Sequence, residues 1–187
     1  HGKGKALQKA VRRDLTRLVQ QLFQDHPGVA GHCHRMAIAA NTTMLHLLMG
    51  WSCEGLGNWP FHPVSLGGGT YEVQAVLGRQ GVLTDCTVTL LPGMSTYVGA
   101  DITAGIWQCG VASSDDLSLF VDLGTNGEMA LGNKEKRFIA SAPAGPALEG
   151  GKLTWGTGSV TGAICGVHIE RGRAKVRTID HGVPVGI

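Results

Sequence analysis

The sequence predicts a globular α/β protein, because a long amphipathic helical pattern is followed by short apolar segments of strand length. Hydrophobic residues make up 43% of the 187 residues and charged residues 16%, which is too apolar and too weakly charged for a disordered chain. The 29 glycines are dispersed without a repeating period, which indicates many tight turns and loops that can approach a ligand closely. A chain of this length can bury a real core, as one domain or as two small ones.

The first predicted element is an amphipathic helix over residues 4–24. Its apolar residues recur at helical spacing, and they are Leu7, Val11, Leu15, Leu18, Val19 and Leu22. Pro27 and Gly28 end the helix. The outer face carries lysines and arginines, which could dock an acidic partner but are more typical of a solvated face.

A junction of strand, cap and helix follows. Residues 35–40 are predicted to form a short buried strand, Asn41 and Thr42 lie in a cap, and residues 44–49 form a helix. Such a junction gathers side-chain oxygens and free helix N–H groups at one point, where an anion site or a hinge often lies. The same residues also fit a plain helix cap, and the pattern favours neither interpretation.

The middle of the chain is predicted to hold connectors, strands and one more helix. Residues 50–63 and 67–69 are connectors rich in glycine, proline and aromatic residues, and residues 82–83 and 88–91 are strand segments. A helix is predicted to open over residues 97–101 and to reach Trp107. Asp101 then lies at a helix start, where it either caps the helix or faces a metal or nucleotide across a cleft.

After a polar linker at residues 113–116, three short strands are predicted to form an antiparallel meander. The first strand ends at Asp122 and turns through Gly124, Thr125, Asn126 and Gly127. A carboxylate at this position can hold a hydrated Mg²⁺, while backbone N–H groups and the Thr125 and Asn126 side chains can reach phosphate oxygens. The glycines permit positive φ and close approach to a ligand. Taken alone, the segment fits an ordinary β-hairpin better, because Asn-Gly is a strong hairpin signal.

Residues 141–151 are mostly small, so that their backbone could lie very near a ligand, and Pro146 suits the first turn of a helix. The last predicted element is a hairpin of residues 160–169 and 173–179 around Arg171 and Gly172.

Several function classes are disfavoured by composition. A net charge of +2 gives little steering toward nucleic acid, and no apolar run approaches the length of a membrane span. The start of the chain lacks the apolar region of a signal peptide, so that we expect a cytoplasmic location and no membrane partner. The five cysteines form no CxxC pair, which is typical of free thiols in a reducing compartment. His32, Cys33 and His34 could suggest a metal site, but neighbours in a strand point to opposite sides.

Four segments carry a resemblance to a known family. They are residues 122–128, residues 144–150, residues 41–46 and residues 98–101. Together, and in their order along the chain, they resemble the reductive activators of corrinoid proteins, which belong to the superfamily of actin, sugar kinases and the Hsp70 ATPase. The resemblance implies an α/β fold of ribonuclease H-like lobes, both incomplete in this chain. It also implies ATP or ADP and Mg²⁺ as ligands, and a role in returning cob(II)alamin to cob(I)alamin.

The resemblance assigns roles residue by residue. Asp122 inherits metal binding, and the following turn residues Gly124, Thr125, Asn126 and Gly127 inherit contacts to the nucleotide phosphates. Gly145 and Glu149 of the small-residue segment, together with Asn41 and Thr42 near the hinge between lobes, complete the expected nucleotide site. Asp101 is the candidate that orients the attacking water, so that Asp101 and Asp122 are the expected catalytic residues.

Some family features differ or are absent. Ala40 stands where the family usually has glycine, Leu148 where an aromatic residue is common, and Pro143 where alanine is common. The first phosphate motif and the later glycine-rich segment are not found. We therefore expect an internal fragment, with residues 1–112 from the latter part of the first lobe and residues 113–187 from the beginning of the second. A [2Fe–2S] cluster is expected only in an absent N-terminal domain of the parent protein.

Three hypotheses follow for function. In the first, the chain is part of an ATP-dependent activator whose partners are a nucleotide and a corrinoid protein. In the second, it is a binding module that docks a corrinoid or other metalloprotein, or a second copy of itself as a homodimer, without hydrolysing ATP, because two half-lobes form only half a cleft. A third and weaker hypothesis is a thiol or metal protein built on His32, Cys33 and His34.

Overall fold

The computed structural model describes residues 3–78, 83–124, 126–143 and 154–186. The helices are α1 (Gly4–Asp25), α2 (Thr42–Met49), α3 (Glu54–Gly57), α4 (Val73–Leu77) and α5 (Ala100–Gln108). The strands are β1 (Arg35–Ile38), β2 (Thr70–Glu72), β3 (Thr87–Leu90), β4 (Ser118–Leu123), β5 (Asn126–Gly132), β6 (Arg137–Pro143), β7 (Ile164–Glu170) and β8 (Arg173–Thr178). Short 3₁₀ helices lie at Ala30–His32 and Ile179–His181. The α/β class predicted from the sequence is confirmed.

Two compact units make up the chain. The first unit is His1–Phe120 with Met129–Ala140, and the second is Val121–Glu128 with Ser141–Ile187. No helix in the described ranges is both long enough and apolar enough to span a bilayer.

The first unit contains a mixed sheet in the order β1-β3-β2. β1 runs parallel to β3, with Arg35 opposite Thr87 and Ile38 opposite Leu90, and β2 pairs antiparallel with β3. A buried core forms on this sheet, and its members are Leu45, Leu48, Val73, Val76, Leu77, Leu83, Cys86, Val88 and Leu90. α1 covers the core with Val11, Leu15, Val19 and Phe23, which recur every four residues and so share one helix face.

A second core of the first unit surrounds α5. It consists of Val98, Ile102, Ile106, Val111 and Ala130, with Phe120 and Ile139 packed against it. Gly105 of α5 leaves room for the Phe120 ring, since a Cβ there would lie 2.5 Å from Phe120 Cζ. Strands β4, β5 and β6 form a sheet in that order, as the meander prediction requires.

The second unit contains the antiparallel hairpin β7–β8, with Val167 opposite Val176 and Glu170 opposite Arg173. Its turn is Arg171 and Gly172, both at positive φ (49° and 75°), as a two-residue hairpin turn requires. The predicted hairpin is therefore confirmed. Its outer ends are shorter than predicted, because β7 begins only at Ile164.

Several local predictions are wrong. Leu83 is buried but lies outside any strand, and residues 50–63 contain the short helix α3 rather than connector alone. β2 and α4 were not predicted at all. Gly124 does not use the positive φ that glycine permits at this turn. The predicted helix start at Pro146 and strand residue Val82 lie outside the described residues.

Candidate functional site

The junction after β1 is built on Asn41. Asn41 is the N-cap of α2 with an extended backbone (φ −62°, ψ 158°), and its Oδ1 accepts a hydrogen bond from the Met44 N–H at 2.8 Å. This bond satisfies one of the N–H groups that the first turn of a helix leaves free. The cap predicted from the sequence is confirmed, and the helix begins at Thr42, two residues earlier than predicted.

A hydrogen bond of Thr42 connects the start of α2 to the loop after β3. Its side chain is buried, and its hydroxyl donates to the Ser95 carbonyl at 2.9 Å. Ser95 in turn accepts, through its own hydroxyl, the Val98 N–H at 3.2 Å. The Thr42 hydroxyl is therefore engaged within the protein, while the Asn41 side chain beside it is exposed.

His46 is the residue of this junction that sequence reasoning missed. Its ring is fully buried, with Nδ1 2.7 Å from the Thr42 carbonyl and Nε2 3.0 Å from the Val64 nitrogen. The Val64 N–H can only donate, so that Nε2 is the acceptor and Nδ1 carries the proton donated to Thr42. The signal in the sequence was the spacing of four between Thr42 and His46, which places both on one helix face.

The segment of Gly99 and Asp101 lies directly against this junction. The Ala100 N–H donates to the Ala40 carbonyl at 2.9 Å. A Cβ on Gly99 would lie 2.7 Å from the Ala40 oxygen and would overlap the Asn41 Cα, so that only glycine fits. Asp101 Oδ1 accepts the Ile102 N–H at 3.0 Å, and its side chain is exposed in the first turn of α5. The first unit thus brings Asn41, Thr42 and Asp101 to one place.

Arg12 of α1 donates a hydrogen bond to the C-terminal end of α2. Its Nε donates to the Leu48 carbonyl at 3.0 Å, and its Nη2 donates to the Ala75 carbonyl of α4 at 3.0 Å. Both acceptors lie in the last turns of their helices, where carbonyls lack helical partners and a cation is favoured. Partial burial lowers the pKa of Arg12 from its usual value.

The predicted phosphate turn lies in the second unit. Asp122 is exposed near the end of β4, and the Gly124 N–H donates to the Asn126 carbonyl at 2.9 Å to close the turn. Asn126 is exposed and Gly127 is buried. A Cβ on Gly124 would lie 3.6 Å from Asp122 Oδ1 and 3.8 Å from the Asn126 oxygen, which are ordinary contacts. The described part of the chain therefore allows a Cβ at residue 124.

Some expected site residues lie outside the described part of the chain, and the expected metal ligands have different outcomes. Thr125, Gly145 and Glu149 lie outside the described residues. Within the described ranges, no group of three or more histidine, cysteine, aspartate and glutamate side chains could hold a metal ion, so that the metal site suggested by His32, Cys33 and His34 is wrong. Asp122 could still bind a hydrated Mg²⁺ together with nucleotide phosphates, because Mg²⁺ usually keeps several waters and takes only one or two carboxylates.

Comparisons with known proteins agree across the chain. A family model described as the RACo middle region matches residues 1–114, and one described as the C-terminal domain of RACo, the ASKHA domain, matches residues 116–187. The chain is 33% identical to the corrinoid activation enzyme RamQ of Eubacterium limosum over 95% of its length, which covers 29% of that protein. It is 35% identical to the [Co(II) methylated amine-specific corrinoid protein] reductase of Methanosarcina barkeri over 52% of the chain and 18% of the relative.

A solved structure is also similar. The reductive activator for corrinoid, iron-sulfur protein matches 98% of the chain with a TM-score of 0.69 and 34% identity, and the match covers 29% of that structure's chain. The chain therefore spans about three tenths of the length of this structure and of RamQ.

Proposed function

Since the chain belongs to the RACo family of reductive activators of corrinoid proteins, we propose that it is part of an ATP-dependent activator that returns a corrinoid protein from cob(II)alamin to cob(I)alamin. The names of its relatives, which describe corrinoid activation and corrinoid protein reduction, support this proposal. In the parent protein an iron–sulfur domain would supply the electron, and this chain would contribute to nucleotide binding. Its partners would be ATP or ADP with Mg²⁺ and a corrinoid protein, in the cytoplasm.

The observation that carries the nucleotide part of the proposal is the exposed Asp122 beside a closed turn. Its carboxylate would hold the hydrated Mg²⁺, and the turn residues Gly124, Thr125, Asn126 and Gly127 would contact phosphate oxygens. The ordinary contacts that a Cβ on Gly124 would make support this role, because the described residues do not themselves require glycine there. Phosphoryl transfer needs mainly positioning and charge stabilisation, which such a turn can supply.

The remaining residues take supporting roles in the proposal. Asn41 and Thr42 would lie at the hinge side of the nucleotide site, and Gly145 and Glu149 would complete it. Asp101 would orient the attacking water. Its exposure and its position on the same junction as Asn41 support this role, although its bond to Ile102 also fits simple stabilisation of a helix start. Residues 1–112 would belong to one lobe and residues 113–187 to the next.

Calorimetric titration with Mg-ADP and a non-hydrolysable ATP analogue tests nucleotide binding. It would be carried out on this chain and on a protein that joins it to the flanking sequence of its gene. Asp122→Asn removes the charge but keeps the shape, and we expect it to weaken binding by about 10- to 100-fold, the effect of losing a hydrogen bond to a charged group. Asp116→Asn, at another exposed aspartate, is the matched control. Equal affinity of all three proteins would contradict the role of Asp122.

The corrinoid part of the proposal has its own assay. The longer protein, mixed with a cob(II)alamin-loaded corrinoid protein and a low-potential reductant, should produce the absorption of cob(I)alamin faster with ATP than without it. Tight nucleotide binding without any such acceleration would support the proposed nucleotide site but contradict the proposed role in corrinoid activation.

A second candidate function is a docking module without ATP hydrolysis. The hairpin β7–β8 favours it, because Val167, Ile169 and Val176 lie on one face and are 63%, 72% and 44% exposed. Exposed apolar patches often mark interaction sites. Binding of a corrinoid protein that is lost in Ile169→Lys, by a chain that does not bind nucleotide, would support this function over the first.

A further inference from the structure

Two cysteines meet at the start of two neighbouring strands in the first unit. β1 and β3 are parallel, and Arg35 lies opposite Thr87. Cys33 comes two residues before Arg35, and Cys86 comes one residue before Thr87. The pairing of the strands continues outward to these residues, because the Thr87 N–H donates to the His34 carbonyl at 3.0 Å. The two cysteines therefore lie on adjacent segments at the same edge of the sheet.

Both cysteines belong to the same hydrophobic core. Cys86 is fully buried in the core, and Cys33 is half-buried and packs against that core. Each sulfur also lies near a backbone carbonyl, Cys33 Sγ 3.9 Å from the Arg35 oxygen and Cys86 Sγ 3.7 Å from the Thr87 oxygen. Burial raises the pKa of the Cys86 thiol, and the charge of the nearby Cys33 raises it further. Cys86 is thus a buried thiol near a more accessible one.

We propose that Cys33 and Cys86 are a redox-active dithiol that a peroxide oxidises to an intramolecular disulfide. The Cys33 sulfur attacks one peroxide oxygen, the O–O bond breaks, and a sulfenic acid and one water result. The Cys86 sulfur then displaces the hydroxyl from the Cys33 sulfur. The S–S bond forms as the Cys86 proton leaves with that hydroxyl as a second water. Two thiols and one hydrogen peroxide thereby give one disulfide and two waters.

The position of this bond would connect it to the candidate site. β1 leads directly into Asn41, and β3 leads into the loop whose residue Ser95 binds the Thr42 hydroxyl. A disulfide between residues 33 and 86 would fix the starts of the two strands that carry these segments. It would also close a long loop in the unfolded chain, so that the oxidised protein should unfold at a higher temperature.

Peptide mapping after peroxide treatment tests the proposal. The purified chain, kept dilute to limit intermolecular pairing, is treated with an equimolar amount of hydrogen peroxide, alkylated and digested without reductant. We expect a cross-linked peptide that contains Cys33 and Cys86, a mass lower by two hydrogens, and a loss of two of the five free thiols. Dithiothreitol should restore all five.

Variants separate this pairing from general oxidation. Cys33→Ser and Cys86→Ala should abolish the two-thiol loss, while Cys53→Ser, at another half-buried cysteine of the same unit, should retain it. If Cys86→Ala does not fold, the map of the unmodified protein and the Cys33→Ser variant still decide the question. Oxidation of Cys33 to sulfinic acid, or its pairing with any other cysteine while Cys86 remains reduced, would overturn the proposal.

Discussion

Substitutions at two glycines with different surroundings should have different effects, one on stability and the other on ligand binding. A Cβ on Gly99 would overlap the Asn41 Cα and lie 2.7 Å from the Ala40 oxygen, whereas a Cβ on Gly124 would make ordinary contacts with the described residues. We predict that Gly99→Ala destabilises the protein by about 1–3 kcal/mol, as overpacking does. Gly124→Ala should leave the free energy of unfolding nearly unchanged and weaken binding of Mg-nucleotide.

The measurement for this pair is chemical denaturation followed by nucleotide titration. A Gly124→Ala protein that binds nucleotide as well as the parent would show that no phosphate occupies the space beside residue 124. A Gly99→Ala protein of unchanged stability would show that the close packing at Asn41 relaxes without cost.

His46 is predicted to be a structural residue of the Thr42 junction. Its removal in His46→Ala would leave the Val64 N–H without its partner, would take one of its donors from the Thr42 carbonyl and would open a cavity. We expect a loss of about 3 kcal/mol in the free energy of unfolding. His26→Ala, at an exposed histidine after α1, is the control and should change stability little. Urea denaturation of both variants gives the comparison, and equal stability would contradict the role.

The role of a residue was predictable from the sequence when that role depends on its neighbours in the chain. Asn41 as a cap and Asp101 at a helix start follow from preferences within three or four residues. The partners of Thr42 and His46 were not predictable, because Ser95 and Val64 are 53 and 18 residues away in the chain. The same limit hid Gly99, whose need for glycine depends on backbone from the Asn41 segment.

At the level of elements, Arg12 of α1 joins the ends of α2 and α4. We predict that Arg12→Ala destabilises the protein by about 1–3 kcal/mol, because two carbonyls lose a charged donor. Arg12→Lys should recover only part of this loss, since an ammonium cannot reproduce the two separated donors of a guanidinium. Arg17→Ala, at an exposed arginine of the same helix, controls for lost charge. Thermal unfolding of all three variants tests this, and full rescue by lysine would contradict it.

Elements were predictable when their own periodicity was long enough. α1 shows apolar residues at helical spacing from Leu7 to Leu22, and the hairpin β7–β8 has alternating residues around a glycine turn, so that both are confirmed. β2 has only three residues and is defined by its pairing with β3 some 17 residues later, which no local pattern reveals. α3 and α4, with four and five residues, are too short for a helical period.

At the level of the whole molecule, the family followed from four separated motifs rather than from composition or periodicity. Their agreement with both family models confirms the fold class and the membership. The boundaries between the units fall between residues 120 and 141, because β4, β5 and β6 each contribute residues to both units.

Nucleotide binding should stabilise the molecule by mass action. If Mg-ADP binds the folded chain only, ligand at a hundred times its dissociation constant should raise the free energy of unfolding by about 2.7 kcal/mol. Thermal unfolding with and without Mg-ADP measures the shift, and removal of Mg²⁺ with EDTA should abolish it. An unchanged midpoint in the parent at saturating ligand would contradict binding by this chain.

The exposed apolar face of β7–β8 should cause self-association of the isolated chain. Val167, Ile169 and Val176 share this face, while His168, Lys175 and Arg177 occupy the opposite one. We expect light scattering to show a mass that rises with protein concentration. Ile169→Lys should reduce it, and His168→Lys, on the charged face, should not. A monodisperse monomer at high concentration would contradict this expectation.

The surroundings of the four tryptophans give the protein an optical reporter. Trp59, Trp107 and Trp155 are 83%, 77% and 78% exposed, so that their emission should resemble that of the indole in water. Trp51 alone is half-buried, with its ring edge-on to His46 at a centroid distance of 5.4 Å. The blue-shifted part of the fluorescence spectrum therefore belongs to Trp51. Its intensity will follow the Thr42 junction during any titration, without a label.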